Sequence, residues 1–140
     1  MKKFARVLIS TMTLVLCFAL CACGTKYHDN YSSSAMVEKT TDNDASVSFD
    51  TFSGVYVIKW NNTDNSETLI TYNATLKDGN IKVYYDYNDE KLNLFEIGAG
   101  GSSEGKTEAF ARNQPIYIII ESDGKCGEGS FSFTLEKSQK

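Results

Sequence analysis

The sequence predicts an all-β protein, an antiparallel two-sheet β-sandwich of jelly-roll or immunoglobulin-like form. Three observations predict it. From residue 47 on, apolar and polar residues alternate with a period of two, the alternating segments are short, and turn-forming residues separate them. About eight such segments follow one another at the spacing typical of sandwiches, and beyond the first 22 residues no segment keeps a helical period long enough for a packed helix.

Each predicted strand has one apolar and one polar face. In the second strand, for example, Tyr56, Ile58 and Trp60 alternate with Val57 and Lys59, a pattern typical of a strand with one buried face. The predicted strands, in chain order, are 47–52, 56–60, 70–76, 81–87, 92–97, 107–111, 116–121 and 131–135. The predicted breaks between them include 61–65, 77–80, 88–90 and the glycine-rich loop 98–105.

Two places along these strands carry an additional signal. The pair Asp78-Gly79 is a strong two-residue turn signal, and it predicts a hairpin between 70–76 and 81–87. Segment 116–120 is apolar at both alternating positions. It is therefore predicted to be a central strand, or a strand whose outer face is covered by another part of the molecule.

The composition excludes several classes of protein. The chain has 140 residues, a single histidine and a formal net charge of −4, from 14 basic and 18 acidic residues. A nucleic-acid partner is not expected, because neutralising phosphates requires a basic face. With one histidine, Ser/His/Asp and Cys/His catalytic sites and multi-histidine metal sites are hard to build.

The first 22 residues are typical of an export signal. Lys2, Lys3 and Arg6 precede an uncharged run, 7–22, which is shorter than the roughly 20 residues that a permanent membrane-spanning helix needs. The run ends in Leu20-Cys21-Ala22-Cys23, which resembles the lipobox of bacterial lipoproteins. The resemblance implies cleavage after Ala22, lipidation of the Cys23 sulfur, and attachment to the extracytoplasmic face of the cell membrane. An ordinary secreted protein or a retained helix is the alternative.

The predicted domain organisation follows from that cut. Residues 1–22 form the signal peptide, 23–46 the lipidated cysteine and a flexible tether, 47–137 the sandwich domain, and 138–140 a tail. The tether is predicted because 24–46 is polar and without an apolar period. A coil of this length would span on the order of 25 Å.

No intrachain disulfide is expected in the processed chain. Cys17 and Cys21 belong to the signal and Cys23 is lipidated, so Cys126 remains alone. With no histidine or second cysteine to activate it, Cys126 is interpreted as an incidental turn or strand-edge residue.

No nucleotide and no cofactor are expected. Gly100–Thr107 satisfies the phosphate-loop pattern, but the stretch from Thr107 to Pro115 is too short for a crossover helix, so the match is interpreted as chance in a hairpin loop. For a metal ion, the sequence offers only loop carboxylates such as Asp123 and Glu128 as Ca²⁺ candidates.

Three segments carry a family resemblance: Gly54–Ile58, Ile116–Gly124 and Gly129–Phe133. They resemble small exported lipoproteins of Gram-positive type with one sandwich domain, and the closing segments resemble pre-peptidase C-terminal and carbohydrate-binding sandwiches. The resemblance implies the sandwich fold and supplies no catalytic residues.

The sequence therefore supports two alternative functions. The first is a non-catalytic binding module on the membrane, with a glycan or an envelope protein as its partner. Its candidate contacts are the aromatic residues outside the apolar faces, Tyr84 and Tyr117, because sugar rings stack on exposed aromatic planes. The second is a small carboxylate-dependent hydrolase, or an accessory subunit of a surface enzyme or transport complex, with Glu121 and Glu128 as candidate carboxylates.

Overall fold

The computed structural model describes residues 26–61 and 63–139. The predicted signal peptide and Cys23 lie outside the described residues. Within them there are only β-strands and connecting turns, and no helix long and apolar enough to span a bilayer. The strands are β1 (Asn30–Ser34), β2 (Val37–Thr40), β3 (Asp44–Phe49), β4 (Thr51–Trp60), β5 (Glu67–Leu76), β6 (Ile81–Tyr87), β7 (Glu90–Ile97), β8 (Gly101–Lys106), β9 (Phe110–Ala111), β10 (Ile116–Ser122) and β11 (Gly129–Lys137).

The strands form two antiparallel sheets, which confirms the predicted two-sheet sandwich. Sheet A has the strand order β1-β4-β10-β6-β7, and sheet B has the order β2-β3-β11-β5-β8, with β9 pairing β5. The central strands, β10 and β11, are both late in the chain. Each therefore joins strands that are distant in sequence.

The core lies between the sheets, where the alternation predicted it. On β4, Tyr56, Ile58 and Trp60 are buried, and β11 contributes Phe131 and Phe133, which are at most 1% exposed. Because strand side chains alternate between faces, every second residue enters this layer. Each fully buried side chain of this size contributes about 1.5–3 kcal/mol to folding.

Strand β10 confirms its predicted central position. It pairs with β4 on one side and β6 on the other. Ile118 and Ile120 point into the core, whereas Ile119 is 1% exposed but lies outside the core cluster, on the outer face of sheet A. Both the inward-facing and the outward-facing positions of β10 are apolar because the strand is buried on both faces.

The flexible tether predicted up to residue 46 is wrong for its described part. Strands β1 and β2 and the start of β3 lie within it, so the sandwich begins at Asn30. Strand β1 pairs with β4, and β2 with β3. Both are edge strands, held by backbone hydrogen bonds to one neighbour and burying few side chains. An edge strand can therefore form without an amphipathic pattern.

The predicted hairpin at Asp78-Gly79 is also wrong, although a turn is present. Gly79 has a positive φ of 93°, but β5 belongs to sheet B and β6 to sheet A, so this turn connects the two sheets. Its backbone bonds to the loop before β11, through Lys77 N–H to Glu128 O and Gly127 N–H to Asp78 O. The sequence predicted the turn correctly and the strand pairing wrongly, because β5 and β6 belong to different sheets.

Three other strand boundaries differ from the prediction. Segment 47–52 is divided by Asp50 into β3 and β4, segment 107–111 reduces to Phe110–Ala111, and the predicted loop 98–105 contains most of β8. Strand β8 is rich in glycine and serine, yet it forms because β5 offers it a complete antiparallel register.

Candidate functional site

The predicted aromatic residues Tyr84 and Tyr117 lie on the outer face of sheet A and are half-buried. Tyr84 is opposite Ile119, and Tyr117 is opposite Asp86. They are therefore diagonal neighbours on one face, within reach of each other's side chains.

Both rings are already in contact with other side chains. The Lys91 ammonium lies 4.1 Å from the centre of the Tyr84 ring and forms an ion pair of 2.5 Å with Glu121. The Lys59 ammonium lies 5.4 Å from the centre of the Tyr117 ring, and the Tyr27 ring meets Tyr117 edge-on at 5.3 Å. A sugar stacking on Tyr84 would have to compete with Lys91.

Residues 26–29, called here the arm, cover part of the same face. Asp86 is only 1% exposed, because the Tyr27 hydroxyl donates to it at 2.5 Å and the Lys26 ammonium lies 2.7 Å away. The arm continues towards β1 with Asp29 Oδ1, which accepts the Val57 N–H at 2.7 Å.

The contacts of the arm raise the pKa of two of its residues, Tyr27 and Lys26. Burial, and then the hydrogen bond to Asp86, raises the pKa of Tyr27 to about 12. Hydrogen bonds to Asp86 and Asp89 raise the pKa of Lys26. A raised pKa means that the stabilising contribution is complete below the ordinary value and is lost as the pH rises. For Tyr27 that loss falls between about pH 10 and pH 12.

The calcium candidates are not brought into a ligand cluster. Asp123 is exposed after β10, and Glu128 pairs with Lys77 at 2.8 Å. Among the described residues, no group of three or more His, Cys, Asp or Glu side chains is arranged to hold a metal ion.

The phosphate-loop pattern falls on strand β8. Its residues pair with β5 from Leu76↔Gly101 to Thr71↔Lys106, and no helix follows the pattern among the described residues up to 139. A phosphate cradle needs backbone N–H groups that converge at a helix N-terminus. Gly100–Thr107 offers none here.

Cys126 is a core residue rather than a strand-edge one. It is 1% exposed, its thiol donates to the Asn80 carbonyl at 3.4 Å, and its backbone bridges Phe52. Burial raises the pKa of the thiol. Within the described residues it is a free cysteine.

We expect this thiol to be unreactive in the folded protein, because both burial and the raised pKa suppress the nucleophilic thiolate. Iodoacetamide at pH 8 should modify Cys126 at least about 100-fold more slowly in the native protein than in guanidinium. The readout is the mass of the peptide that contains Cys126, and a native rate close to the denatured one would contradict the prediction.

A set of unpaired hydrogen-bonding groups lies on the opposite surface, the outer face of sheet B. One row of residues crosses four adjacent strands there: Ser48 on β3 faces Ser130 on β11, Ser130 faces Thr75 on β5, and Thr75 faces Ser102 on β8. We call these four residues the hydroxyl row. Since neighbouring strands are about 4.8 Å apart, the row is about 14 Å long.

The hydroxyls of this row make no hydrogen bond to any described residue. Farther along the same face, three hydroxyls are engaged: Ser132 donates to the Asn73 carbonyl at 3.3 Å and Thr134 to Asp44 at 2.8 Å. Thr71 donates to Glu136 at 3.1 Å. The hydroxyl row therefore offers donors and acceptors that these three residues have already used internally.

The row lies in a groove of about 590 Å³ at the end of sheet B. Asp50, Lys77 and Glu128 line its rim, together with Ala35 and the turn before β8. Lys77 and Glu128 form an ion pair of 2.8 Å with both side chains 63% exposed, whereas the Asp50 carboxylate makes no hydrogen bond or ion pair with any described residue. We call this depression, with the hydroxyl row and Asp50, the hydroxyl groove.

The hydroxyl groove was not predicted from the sequence. The residues are serines and threonines at outward positions, and they occur at many such positions along these strands. Their common row depends on the register of β11 with β3 and β5, which no local pattern encodes. Of the residues named in advance, Glu128 lies at this groove, as do Gly100, Gly101 and Ser102 of the phosphate-loop pattern.

No protein-family model and no curated protein matches the sequence. Among solved structures, the carbohydrate-binding module TmCBM61 in complex with β-1,4-galactotriose has a TM-score of 0.51 and 15% sequence identity, covering 78% of this chain and 88% of that one. CsCBM6-3 from Clostridium stercorarium, in complex with cellobiose, has a TM-score of 0.38 and 12% identity, covering 81% and 91%.

A third solved structure is a protein inhibitor. Aeromonas hydrophila PliG, a periplasmic inhibitor of g-type lysozyme, has a TM-score of 0.40 and 11% identity, covering 67% of this chain and 87% of PliG. Identities this low describe the fold alone. The chain thus has a β-sandwich fold similar to that of a carbohydrate-binding module.

Proposed function

We propose that this chain is a lipid-anchored, non-catalytic binding module whose hydroxyl groove holds an extended glycan. The observation that carries the proposal is the hydroxyl row, four neighbouring hydroxyls without partners among the described residues, in a groove of about 590 Å³. The similarity of the fold to a carbohydrate-binding module agrees with it.

The chemistry of the groove suits a polyhydroxylated ligand. Each Ser or Thr hydroxyl can donate one hydrogen bond and accept two, and the Asp50 carboxylate accepts only. Sugar hydroxyls both donate and accept, so a chain of sugars lying along the row can satisfy each of these groups. The length of the row, about 14 Å, favours an oligosaccharide over a single sugar.

The surface is less suited to a protein partner. Among the described residues, the only large hydrophobic side chains that are exposed are Tyr31 and Val37, at 37% and 67%. Protein interfaces are centred on clustered aromatic and aliphatic side chains. A polar ligand therefore fits this surface better than an envelope protein does.

The hydrolase alternative has weaker support. Glu121 and Glu128 are each ion-paired with a lysine, at 2.5 and 2.8 Å. Glycoside hydrolysis requires two carboxyl groups that flank the scissile bond. Here each of the two carboxylates is instead engaged by a lysine ammonium.

Binding to the purified protein tests the glycan site. The protein is titrated in a calorimeter with β-1,4-galactotriose first and with other soluble oligosaccharides afterwards. We expect a heat of binding that reaches saturation. Thr75→Val and Ser130→Ala should each weaken binding by about 3- to 10-fold, because each removes one hydrogen bond worth roughly 1 kcal/mol. Ser46→Ala, an exposed serine on β3 outside the groove, is the matched control and should leave binding unchanged.

Other outcomes of this titration are equally informative. Binding that survives the groove variants but is lost in Tyr84→Ala would move the site to sheet A. Cleavage of the oligosaccharide in the calorimeter cell would support the hydrolase. The absence of binding by any oligosaccharide would refute the proposal.

The anchor is the second part of the proposal, and the sequence Leu20-Cys21-Ala22-Cys23 supports it. Cells grown with a labelled fatty acid should label the wild-type chain and not a Cys23→Ala variant. Incorporation of the labelled fatty acid into the Cys23→Ala variant would exclude thioether lipidation at Cys23.

A further inference from the structure

The chain becomes part of the sandwich very soon after Cys23. Lys26 is ion-paired with Asp86 at 2.7 Å and with Asp89 at 2.9 Å, and Tyr27 is bonded to Asp86 and packs on Tyr117. Three peptide units separate Cys23 from Lys26. Because an extended chain spans at most about 3.6 Å per residue, the Cα atoms of Cys23 and Lys26 lie no more than about 11 Å apart.

We propose that the outer face of sheet A is seated against the lipid headgroups, with the arm fixing this orientation. The inference rests on the proposed lipid anchor at Cys23. A lipid on Cys23 would keep Lys26 within about 11 Å of the acylated residue, and the arm holds Lys26 on sheet A. The occupant of this face is therefore the bilayer that carries the anchor.

The side chains of this face have the chemistry of the membrane interface. Tyr27, Tyr84 and Tyr117 lie beside the ammonium groups of Lys26, Lys59 and Lys91. Tyrosine rings are enriched at the headgroup level, and lysine side chains are attracted to anionic headgroups. Lys59 forms no ion pair with any described residue, so its charge is available to a lipid phosphate.

The acidic groups of the face do not oppose this arrangement strongly. Asp86 is buried under Lys26 and Tyr27, and Glu121 is ion-paired with Lys91. Three further acidic residues are exposed: Asp89 lies beside Lys26, Glu96 is ion-paired with Lys82 at 3.6 Å, and Asp29 accepts the Val57 N–H. Each acidic group named here thus has a partner within the face.

This orientation directs the hydroxyl groove outwards. The groove lies on sheet B, which packs about 10 Å behind sheet A, and it is at the end where β5 leads into β6. The arm is at the opposite end of β6, beside Asp86. A glycan would therefore reach the groove from the side away from the membrane.

The orientation can be measured on the full-length, acylated protein in vesicles of phosphatidylcholine and phosphatidylglycerol. A fluorophore is attached at Asn93→Cys on sheet A, an exposed position opposite Tyr84, or at Ser132→Cys on sheet B. The buried Cys126 is left in place, and the fluorophore is quenched by a lipid that carries a nitroxide on its headgroup. We expect quenching at position 93 to be at least about threefold that at position 132. A flexible insertion of about twelve Gly and Ser residues between Thr25 and Lys26 keeps the arm intact, and it should bring the two values together.

Two results would overturn the inference, and they are distinguishable. Equal quenching at the two positions on an acylated chain without the insertion would exclude the seating while leaving the anchor intact. A chain that carries no lipid, shown by its mass, would exclude the anchor and the seating with it.

Discussion

Replacing Gly54 with alanine is expected to lower the free energy of unfolding by about 3 kcal/mol or more. Gly54 has a φ of 116°, a conformation that residues with a Cβ rarely adopt. A Cβ at this position would lie 2.2 Å from the Asn30 carbonyl oxygen and 2.8 Å from the Tyr31 Cα. These are backbone atoms of β1, which faces Gly54 directly. The clash can therefore be relieved only by separating β1 from β4.

The matched control is Gly124→Ala. Gly124 also has a positive φ, 81°, but a Cβ there meets no atom within 4 Å. Only the backbone strain remains, which costs about 1 kcal/mol. Urea unfolding followed by the fluorescence of Trp60 measures both variants. Equal losses at the two positions would show that the contact with β1 is not what makes Gly54 necessary.

Ser130→Tyr is expected to weaken glycan binding by more than about 30-fold. Ser130 is exposed and lies between Ser48 and Thr75 in the hydroxyl row. A tyrosine there would fill the middle of the groove, and exposed positions of a strand accept tyrosine without loss of stability. A ligand would lose its contacts on both sides of the new ring, so the effect should exceed that of removing a single hydroxyl.

Glu136→Tyr provides the control for Ser130→Tyr. It places the same side chain on the same face of β11, about 20 Å farther along the strand. Titration with the oligosaccharide that binds the wild type should show normal affinity for Glu136→Tyr, and thermal unfolding should show that both variants are folded. Unchanged affinity in a folded Ser130→Tyr protein would exclude the hydroxyl groove as the site.

The inner faces of the strands could be predicted from sequence because burial leaves a period of two. Tyr56, Ile58 and Trp60 follow it, and all three are buried. The double-sided apolar pattern of 116–120 also placed β10 correctly in the middle of a sheet. In each case the signal is the side chain's own hydrophobicity, which does not depend on the partner strand.

What could not be predicted depends on pairs of distant residues. Strands β1 and β2 are polar, and only their pairing with β4 and β3 makes them strands. Two charged residues, Asp86 and Arg112, are buried because other segments fold over them. Arg112 donates to the Asn43 side chain at 3.0 Å and to the Asp42 carbonyl at 2.9 Å, contacts that no local pattern announces.

In the candidate site, too, features set by a local pattern could be predicted, and features set by the pairing of distant strands could not. Tyr84 and Tyr117 alternate with core residues and lie on an outward face, and their role as ligand contacts stays a prediction. The hydroxyl row was missed because its members come from four strands whose order along the sheet differs from their order in the chain.

The position of β11 has a consequence for biosynthesis. Sheet B is joined through β11, because β3 and β5 have no direct pairing with each other and each bonds to this strand instead. As the chain is made, β3 and β5 lack their shared neighbour until residues 129–137 can reach them. The sandwich therefore closes late, in a step that joins distant parts of the chain, and a chain truncated before residue 129 should remain sensitive to protease.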